Sequence, residues 1–393
     1  MAVTDDYNPF KPPVLDEPSV AYAHLLTERP VHCFADFDPP FHTLSRHADV
    51  QWALRDIDTF SSEFGQGPRF TPPAGMLSNP PQHTFFRSLV QQAFSPRAIE
   101  AMRGRVEELA EQLLDVCPAG EWDLHDAFAF PLPVIVIAEM LGVPADDLHL
   151  FKRWSDASVA AMGAADPSAY VAELADLANY ILARVRERRA APGRGDLIDG
   201  LVRAQQEGKG LADEEILSVI NQLLVGGNET TTSLITNAVW RLLERPALWQ
   251  RVVAEPGLVD RALEESLRFD PPVLGLYRST TRAVERHGVR IPKDAKVMLH
   301  YAAANRDPAV WDDPNTFSLD RPAQRHLSFG LGVHFCLGAQ LARLEAGIAL
   351  RALAARCPDL RLVNSGQRIL PWFLWGRRHL VLACILSASS SLK

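Results

Sequence analysis

The segment Phe329-Gly330-Leu331-Gly332-Val333-His334-Phe335-Cys336-Leu337-Gly338 carries the densest chemistry of the 393-residue chain. Its three glycines permit tight turns and the close approach of a flat ligand. A helical pattern follows over residues 337–355, which sets Cys336 at a helix start. Backbone N–H groups and the positive end of the helix dipole there favour thiolate over thiol and temper its electron donation, as suits a metal ligand. Three other readings stand beside that one. A dinucleotide fingerprint needs its third glycine at 335, whereas here it falls at 338, and no strong central strand precedes it. A zinc site needs further Cys or His at metal spacing, and only His334 is near. The last reading is a small buried hydrophobe among incidental glycines.

Outward from this segment the pattern is mostly helical. Residues 81–243 show apolar side chains at helical spacing, punctuated by prolines, and 259–269 adds another helix. Residues 213–244 read as one helix stopped by Pro246; at 1.5 Å per residue it would span about 48 Å and form a central pillar. Strand patterns occupy 276–281, 289–291 and 297–301, and a late hairpin is expected from 369–375 and 379–385 across Gly376. Residues 1–79 mix helical and strand signals, and 64–79 hold six Gly and Pro residues, which predicts a long surface loop of the lid type. The expected architecture is mainly α with small β-sheets in a single domain over 1–393: a mixed part about 1–79, a helical and ligand-binding body about 80–385, and a frayed tail 386–393.

Composition narrows the function. Apolar residues are 47% and charged residues 22%, which allows a large core and excludes a disordered chain. Lys+Arg minus Asp+Glu is 40 − 48 = −8, a balance that disfavours nucleic acid as partner. Five widely spaced cysteines, with no C-x-x-C pair, argue for a reducing cytosol and against a disulfide or zinc framework. The chain start lacks a signal-peptide pattern, and the closest approach to a membrane span, 216–240, is interrupted by Asn221, Gln222, Asn228 and Glu229. The expectation is a cytoplasmic monomer without a membrane partner.

Three more motifs join the cysteine segment. Glu265-Ser266-Leu267-Arg268 sets a carboxylate and a guanidinium at i and i+3 on one helical face, with Arg321 as a second cation. Gly226-Gly227-Asn228-Glu229-Thr230-Thr231 sits midway in the long helix, and two glycines there should cost roughly 1 kcal/mol each against Ala unless missing side chains make room for a ligand. Pro80-Pro81-Gln82-His83-Thr84-Phe85-Phe86-Arg87 puts His83 and Arg87 one helical turn apart. Together, F-G-x-G-x-H-x-C-x-G, E-x-x-R with the meander from Asn305 through Phe317 to Arg321, small-Gly-x-acid-Thr and P-x-H-x-x-x-R resemble the signatures of the cytochrome P-450 haem-thiolate monooxygenases. Glu229 stands where some members of that family carry Asp.

The resemblance implies haem b, held non-covalently because C-x-x-C-H is absent, with Cys336 as its axial metal ligand and dioxygen as co-substrate. Cofactor contacts are expected from His83, Arg87, Gly226, Arg278, Phe329, Gly330, His334 and Gly338, with His83, Arg87, Arg278 and His334 facing the propionates. Glu229 and Thr230 are the implied proton-delivering pair, and Glu265, Arg268 and Arg321 the structural brace under the cysteine segment. The substrate is expected to be an apolar small molecule, hydroxylated or oxidatively dealkylated, in a pocket that includes Leu224, Gly227, Val273, Leu274, Leu276 and Phe373. Further walls are expected from 64–77 and 154–170, with Arg69 a candidate partner for a substrate carboxylate. No flavin or nicotinamide domain is evident, so electrons are expected from a ferredoxin and its NAD(P)H-dependent reductase, steered by Arg97, Arg325 and Arg343. A peroxide-driven peroxygenase and a non-catalytic haem sensor or carrier are the alternatives; the intact Glu229-Thr230 pair speaks against the first.

Overall fold

The computed structural model describes residues 7–384 apart from 73, 164, 165, 209 and 210. The expected tail 386–393 therefore lies outside the described residues. Helices dominate from Gln82–Val90 through Arg103–Asp115, Pro131–Leu141, Leu148–Gly163, Val171–Ala190 and Leu197–Gln206. The apolar Pro131–Leu141 helix is stopped by Gly142, whose φ of 74° a side chain would strain. One hydrophobic cluster takes side chains from Tyr22 to Cys384. Among the described residues, no helix is long and apolar enough to cross a membrane.

The central pillar differs from the expected single rod. It is two helices, Asp213–Gly227 and Glu229–Leu243, broken at Asn228, which adopts ψ −74°. Two causes converge. Gly226 and Gly227 weaken the helix locally, and the Asn228 side-chain amide donates to Ser155 Oγ on the neighbouring 148–163 helix. Apolar residues run on across the break into a second half that is buried nearly all round, which is why the sequence pattern does not reveal it.

Strands form small sheets on the flank. In chain order they are β1 (Val31–Phe34), β2 (Phe41–Leu44), β3 (Phe60–Ser61), β4 (Gly120–Asp123), β5 (Leu276–Thr280) and β6 (Val284–Arg286). The second half comprises β7 (Val289–Ile291), β8 (Lys296–Leu299), β9 (Arg361–Asn364), β10 (Gln367–Arg368), β11 (Arg377–Arg378) and β12 (Val381–Cys384). The largest sheet has order β1-β2-β8-β5-β3, with only the β2–β8 pair parallel. The late hairpin is not built as expected. Gln367–Arg368 pairs with Arg377–Arg378, while 369–375 is irregular, with one isolated backbone bridge, Val273–Leu374, and with Trp372 packed on Phe41 and Tyr277. Pro371 interrupts that run, and Trp372, Phe373, Leu374 and Trp375 are all buried, so the apolar signal reflects core packing instead of a strand. β12 instead lies between β4 and β9.

The cysteine segment is held from behind by a satisfied ionic knot. On the helix Leu258–Phe269, Arg268 Nε and Nη2 each donate to Glu265 at 2.8 Å, and Arg321 Nε lies 3.1 Å from Glu265. Arg268 also donates to the carbonyls of Asn305, Pro314 and Thr316, and the Ser318 N–H donates to Glu265 Oε1 at 2.9 Å. From this knot two side chains reach the loop before Phe329. Asn305 accepts from the Leu327 N–H at 2.7 Å and donates to Ser328 Oγ, and Ser328 Oγ donates to the Leu267 carbonyl at 2.6 Å. Removing one member of a buried ion pair strands the other, so Arg268→Ala should lose on the order of 3–5 kcal/mol in denaturant unfolding. Arg268→Lys is expected to recover only part of it, since one ammonium cannot reproduce a fork serving four acceptors; equal stability of Lys and Arg forms would remove the knot from this role.

Candidate functional site

The segment around Cys336 turns twice in the left-handed region, at Gly330 (φ 67°) and Gly332 (φ 75°). A side chain at Gly332 would also stand 3.0 Å from the Leu54 carbonyl. Gly338 behaves differently: its φ of −83° suits any residue, and a Cβ there meets nothing within 4 Å. Its freedom is therefore spatial, leaving open room beside the cysteine. The Cys336 N–H donates to the Phe329 carbonyl at 2.9 Å, and the helix Ala339–Arg356 begins three residues later.

Cys336 is accessible by surface, yet burial pushes its thiol up, while the N–H groups of Gly338 and Ala339 and the guanidinium groups of Arg87 and Arg343 pull it down. Both observations fit an accessible face turned toward the molecular interior instead of bulk water. Phe329 and Gly330 flank the thiol from the loop, with Arg343 over the Phe329 ring at 4.5 Å and paired to Glu264. Arg97 and Arg325 are exposed, the latter over the Phe335 ring at 5.7 Å.

Next to the thiol the structure gathers positive charge without acids. Arg278, 3% exposed on β5, donates only to the Tyr277 carbonyl and has no carboxylate partner among the described residues. Arg87, one turn beyond His83 on the 82–90 helix, likewise pairs with no described acid, and burial lowers both guanidinium groups. His83 and His334 lie with ring centroids 4.4 Å apart, and His83 Nδ1 and His334 Nε2 are buried without partners. Burial, with the fields of Arg278, His83 and Arg87, pushes His334 down to about 3. Buried cations persist when an anion neutralises them, so this cluster fits a ligand carrying carboxylates beside Cys336. The donor set, thiol plus carboxylate-seeking cluster plus open glycines, fits haem.

The central helices supply the facing wall. Gly226 is exposed and a Cβ there meets nothing within 4 Å; Gly227 is half-buried with the same open surroundings. Thr230 Oγ1 donates to the Gly226 carbonyl at 2.8 Å, the acceptor that a regular helix would assign to the Thr230 N–H. Glu229 is 1% exposed, and neither of its oxygens has a partner. Burial raises it to about 7 against the pull of Arg378 and Lys152. Arg378 donates to Asp156 at 3.0 Å and Lys152 stands 3.8 Å from Asp156, so a chain of charges leads from Glu229 to the surface. These three residues have no motif and meet only through tertiary packing. A second buried acid, Glu345, is raised to about 8 by burial and bonds to Thr231.

The pocket residues divide. Val273 and Leu276 are half-buried, but Leu224 is wholly buried and Leu274 and Phe373 nearly so, joined by a Leu274 N–H to Phe373 carbonyl bond of 2.8 Å. These three pack into the core. Along the helix the turn from 224 to 225 carries Leu224 inward and leaves Val225 on the accessible side with Gly226 and Gly227. Trp154 is likewise buried against Phe151 and Tyr180, and Arg69 stacks over Phe37 at 5.1 Å.

Comparison with known proteins gives concordant matches. The Cytochrome P450 family model matches residues 167–357. The chain is 42% identical to erythromycin C-12 hydroxylase of Saccharopolyspora erythraea, over 85% of this chain and 87% of that protein. It is 37% identical to vitamin D(3) 25-hydroxylase of Pseudonocardia autotrophica, over 91% of each. Among solved structures, cytochrome P450 CYP109Q5 from Chondromyces apiculatus superposes with a TM-score of 0.88 at 34% identity, covering 98% of this chain and 99% of that one. With a fold and chain-length identity of this extent, the protein belongs to the cytochrome P450 superfamily, whose members are haem-thiolate monooxygenases.

Proposed function

We propose that this chain inserts one oxygen atom from dioxygen into a large apolar substrate, using haem b ligated by Cys336 and electrons from a separate ferredoxin and NAD(P)H-dependent reductase. The cluster of Arg87, Arg278, His83 and His334, gathered beside Cys336 with no acid among the described residues, Arg278 and His83 buried and Arg87 and His334 half-buried, is the observation that carries this reading. Those four side chains would hold the propionates, and Gly226 and Gly338 would let the flat ring approach the backbone. When bound, haem supplies redox and oxygen chemistry that no side chain offers.

The chain's own residues handle protons and water. Glu229 Oε sits near its midpoint at neutral pH, so it can hold a proton and release it inward, and the charges of Arg378, Asp156 and Lys152 act on it and set that balance. Thr230 Oγ1 donates its hydrogen bond to the Gly226 carbonyl, which leaves its lone pairs free to accept a hydrogen bond from a proton donor on the accessible side and hold it in place. Val225, Val273 and Leu276 offer an apolar wall that excludes water from the reacting position. The relatives named for erythromycin and vitamin D(3) act on large, largely apolar ring compounds, and we infer the same class here.

An optical titration of the ferric protein with macrolides, steroids, fatty acids and aromatic acids tests the class directly. A low-to-high-spin change with ring compounds is expected; a haem band absent after reconstitution would sink the reading. Thr230→Ala should lower the fraction of electrons recovered as product by about tenfold, with substrate binding intact, whereas unchanged coupling removes Thr230 from proton delivery. Glu229 has a folded value raised above its ordinary 4.5, so the stability from burying it neutral is complete below about 4.5 and lost as pH rises to about 7. Glu229→Gln should therefore gain in thermal midpoint relative to wild type between these pH values and hold that gain above them; a pH-independent difference would show that Glu229 is already ionised.

A further inference from the structure

Lys296 opens β8, an interior strand of the five-stranded sheet, and it is fully buried with no carboxylate partner among the described residues. A lysine in that position is costly, and its surroundings show what occupies it. Its Nζ donates to the carbonyls of Phe64 at 2.8 Å and Gly65 at 3.1 Å, and the Phe70 ring centroid lies 4.9 Å from the same atom. Both ends of the 64–71 segment thus converge on one ammonium. The Thr71 N–H donates to the Phe64 carbonyl at 3.1 Å and closes the segment on itself, while the Tyr277 N–H on β5 donates to the Gln66 carbonyl at 2.9 Å.

The segment continues directly to the site. Met76 N–H donates to Gln222 Oε1 at 2.9 Å and Gln222 Nε2 donates to the Ala74 carbonyl at 3.0 Å, one turn before Gly226 on the central helix. Beyond it the chain enters the helix carrying His83 and Arg87. On its outer side Phe64 and Phe70, 43% and 46% exposed, contact edge to face at 6.1 Å. A carbonyl pair and a ring gripped by a buried lysine, with two aromatics left half in water, describe a flap with a fastening.

We propose that Lys296 is a positioning residue that fastens residues 64–71 as a flap at the mouth of the haem-thiolate site, through its bonds to the Phe64 and Gly65 carbonyls and its contact with Phe70. The proposal rests on the site reading given under Proposed function. Opening the flap breaks three N–H···O bonds, two from Lys296 and one from the Tyr277 N–H, and a cation–π contact, and an apolar substrate arriving from solvent meets Phe64 and Phe70 first.

The test uses the haem-loaded protein as wild type, Lys296→Met and Phe70→Ala. Methionine keeps the apolar stem and deletes the donors, and Phe70 is a surface residue whose loss spares the fold. Hydrogen exchange of the peptide spanning 62–71 should quicken about tenfold in Lys296→Met and about threefold in Phe70→Ala, with the β5–β8 ladder unchanged. Association of 4-phenylimidazole, followed at the haem band, should speed up in both. Equal exchange in all three proteins overturns the proposal, as does an association rate unaltered in Lys296→Met. Absence of a haem band in the wild type overturns the haem reading instead, and the exchange comparison still judges the fastening.

Discussion

Positive charge held without a counter-ion is the constraint on which this structure depends. Arg278 and Arg87 crowd beside Cys336, their fields and burial push His83 and His334 toward the neutral form, and no described acid relieves the two guanidinium groups. Taking such groups from water costs several kcal/mol each, and a pliable fold would let them turn outward. They stay because three elements fix the four of them: β5 carries Arg278, the 82–90 helix carries His83 and Arg87, and the tight turns at Gly330 and Gly332 place His334. The Glu265–Arg268–Arg321 knot supplies the complementary rigidity. There every charge is answered, by carboxylate or carbonyl, and Asn305 and Ser328 carry that order into the cysteine segment. One side of the site is satisfied and rigid, and the other is left in want of a ligand.

The broken central helix serves the same end. A continuous helix at Asn228 would keep the Thr230 N–H bonded to the Gly226 carbonyl and leave its hydroxyl without that role. With the break, the hydroxyl takes the carbonyl, and Glu229 is carried into a site where its carboxylate meets no donor. The bond from Asn228 to Ser155 ties this local distortion to the helix that also bears Lys152 and Asp156. Glu229, Thr230 and the kink that orients them are therefore tied to one helix contact.

What could be read from the sequence follows the range of the interactions involved. The cysteine segment and Glu265–Arg268 are local: their chemistry is written in spacing, and the structure places their atoms within bonding distance as the i, i+3 geometry requires. The mainly helical architecture with small sheets was legible because periodicity over 10–20 residues reports burial directly. The break at Asn228 was not, because Gly226 and Gly227 only weaken the helix, and the bond that accompanies the break reaches Ser155, 73 residues away. Residues 369–375 misled because an apolar run signals burial, and only partners decide whether buried backbone is strand or loop; here Pro371 and the core-facing Trp372 to Trp375 made it loop. Leu224 was assigned to the pocket by proximity to the glycines, but a 100° step per residue turns it inward and leaves Val225 outward.

Lys296 shows why a motif search passes over some of the most constrained residues in a fold. Within its strand it reads as an ordinary polar position before Val297, Met298 and Leu299, yet it is as buried as they are. Its only charged neighbour of consequence is Arg278 on the adjoining strand, and each disfavours the other's charge. An anion that neutralises Arg278 therefore also relieves Lys296. Strand pairing sets Arg278 opposite Val297 and Ser279 opposite Lys296, and it is this register, which no spacing in the sequence records, that brings the two cations together.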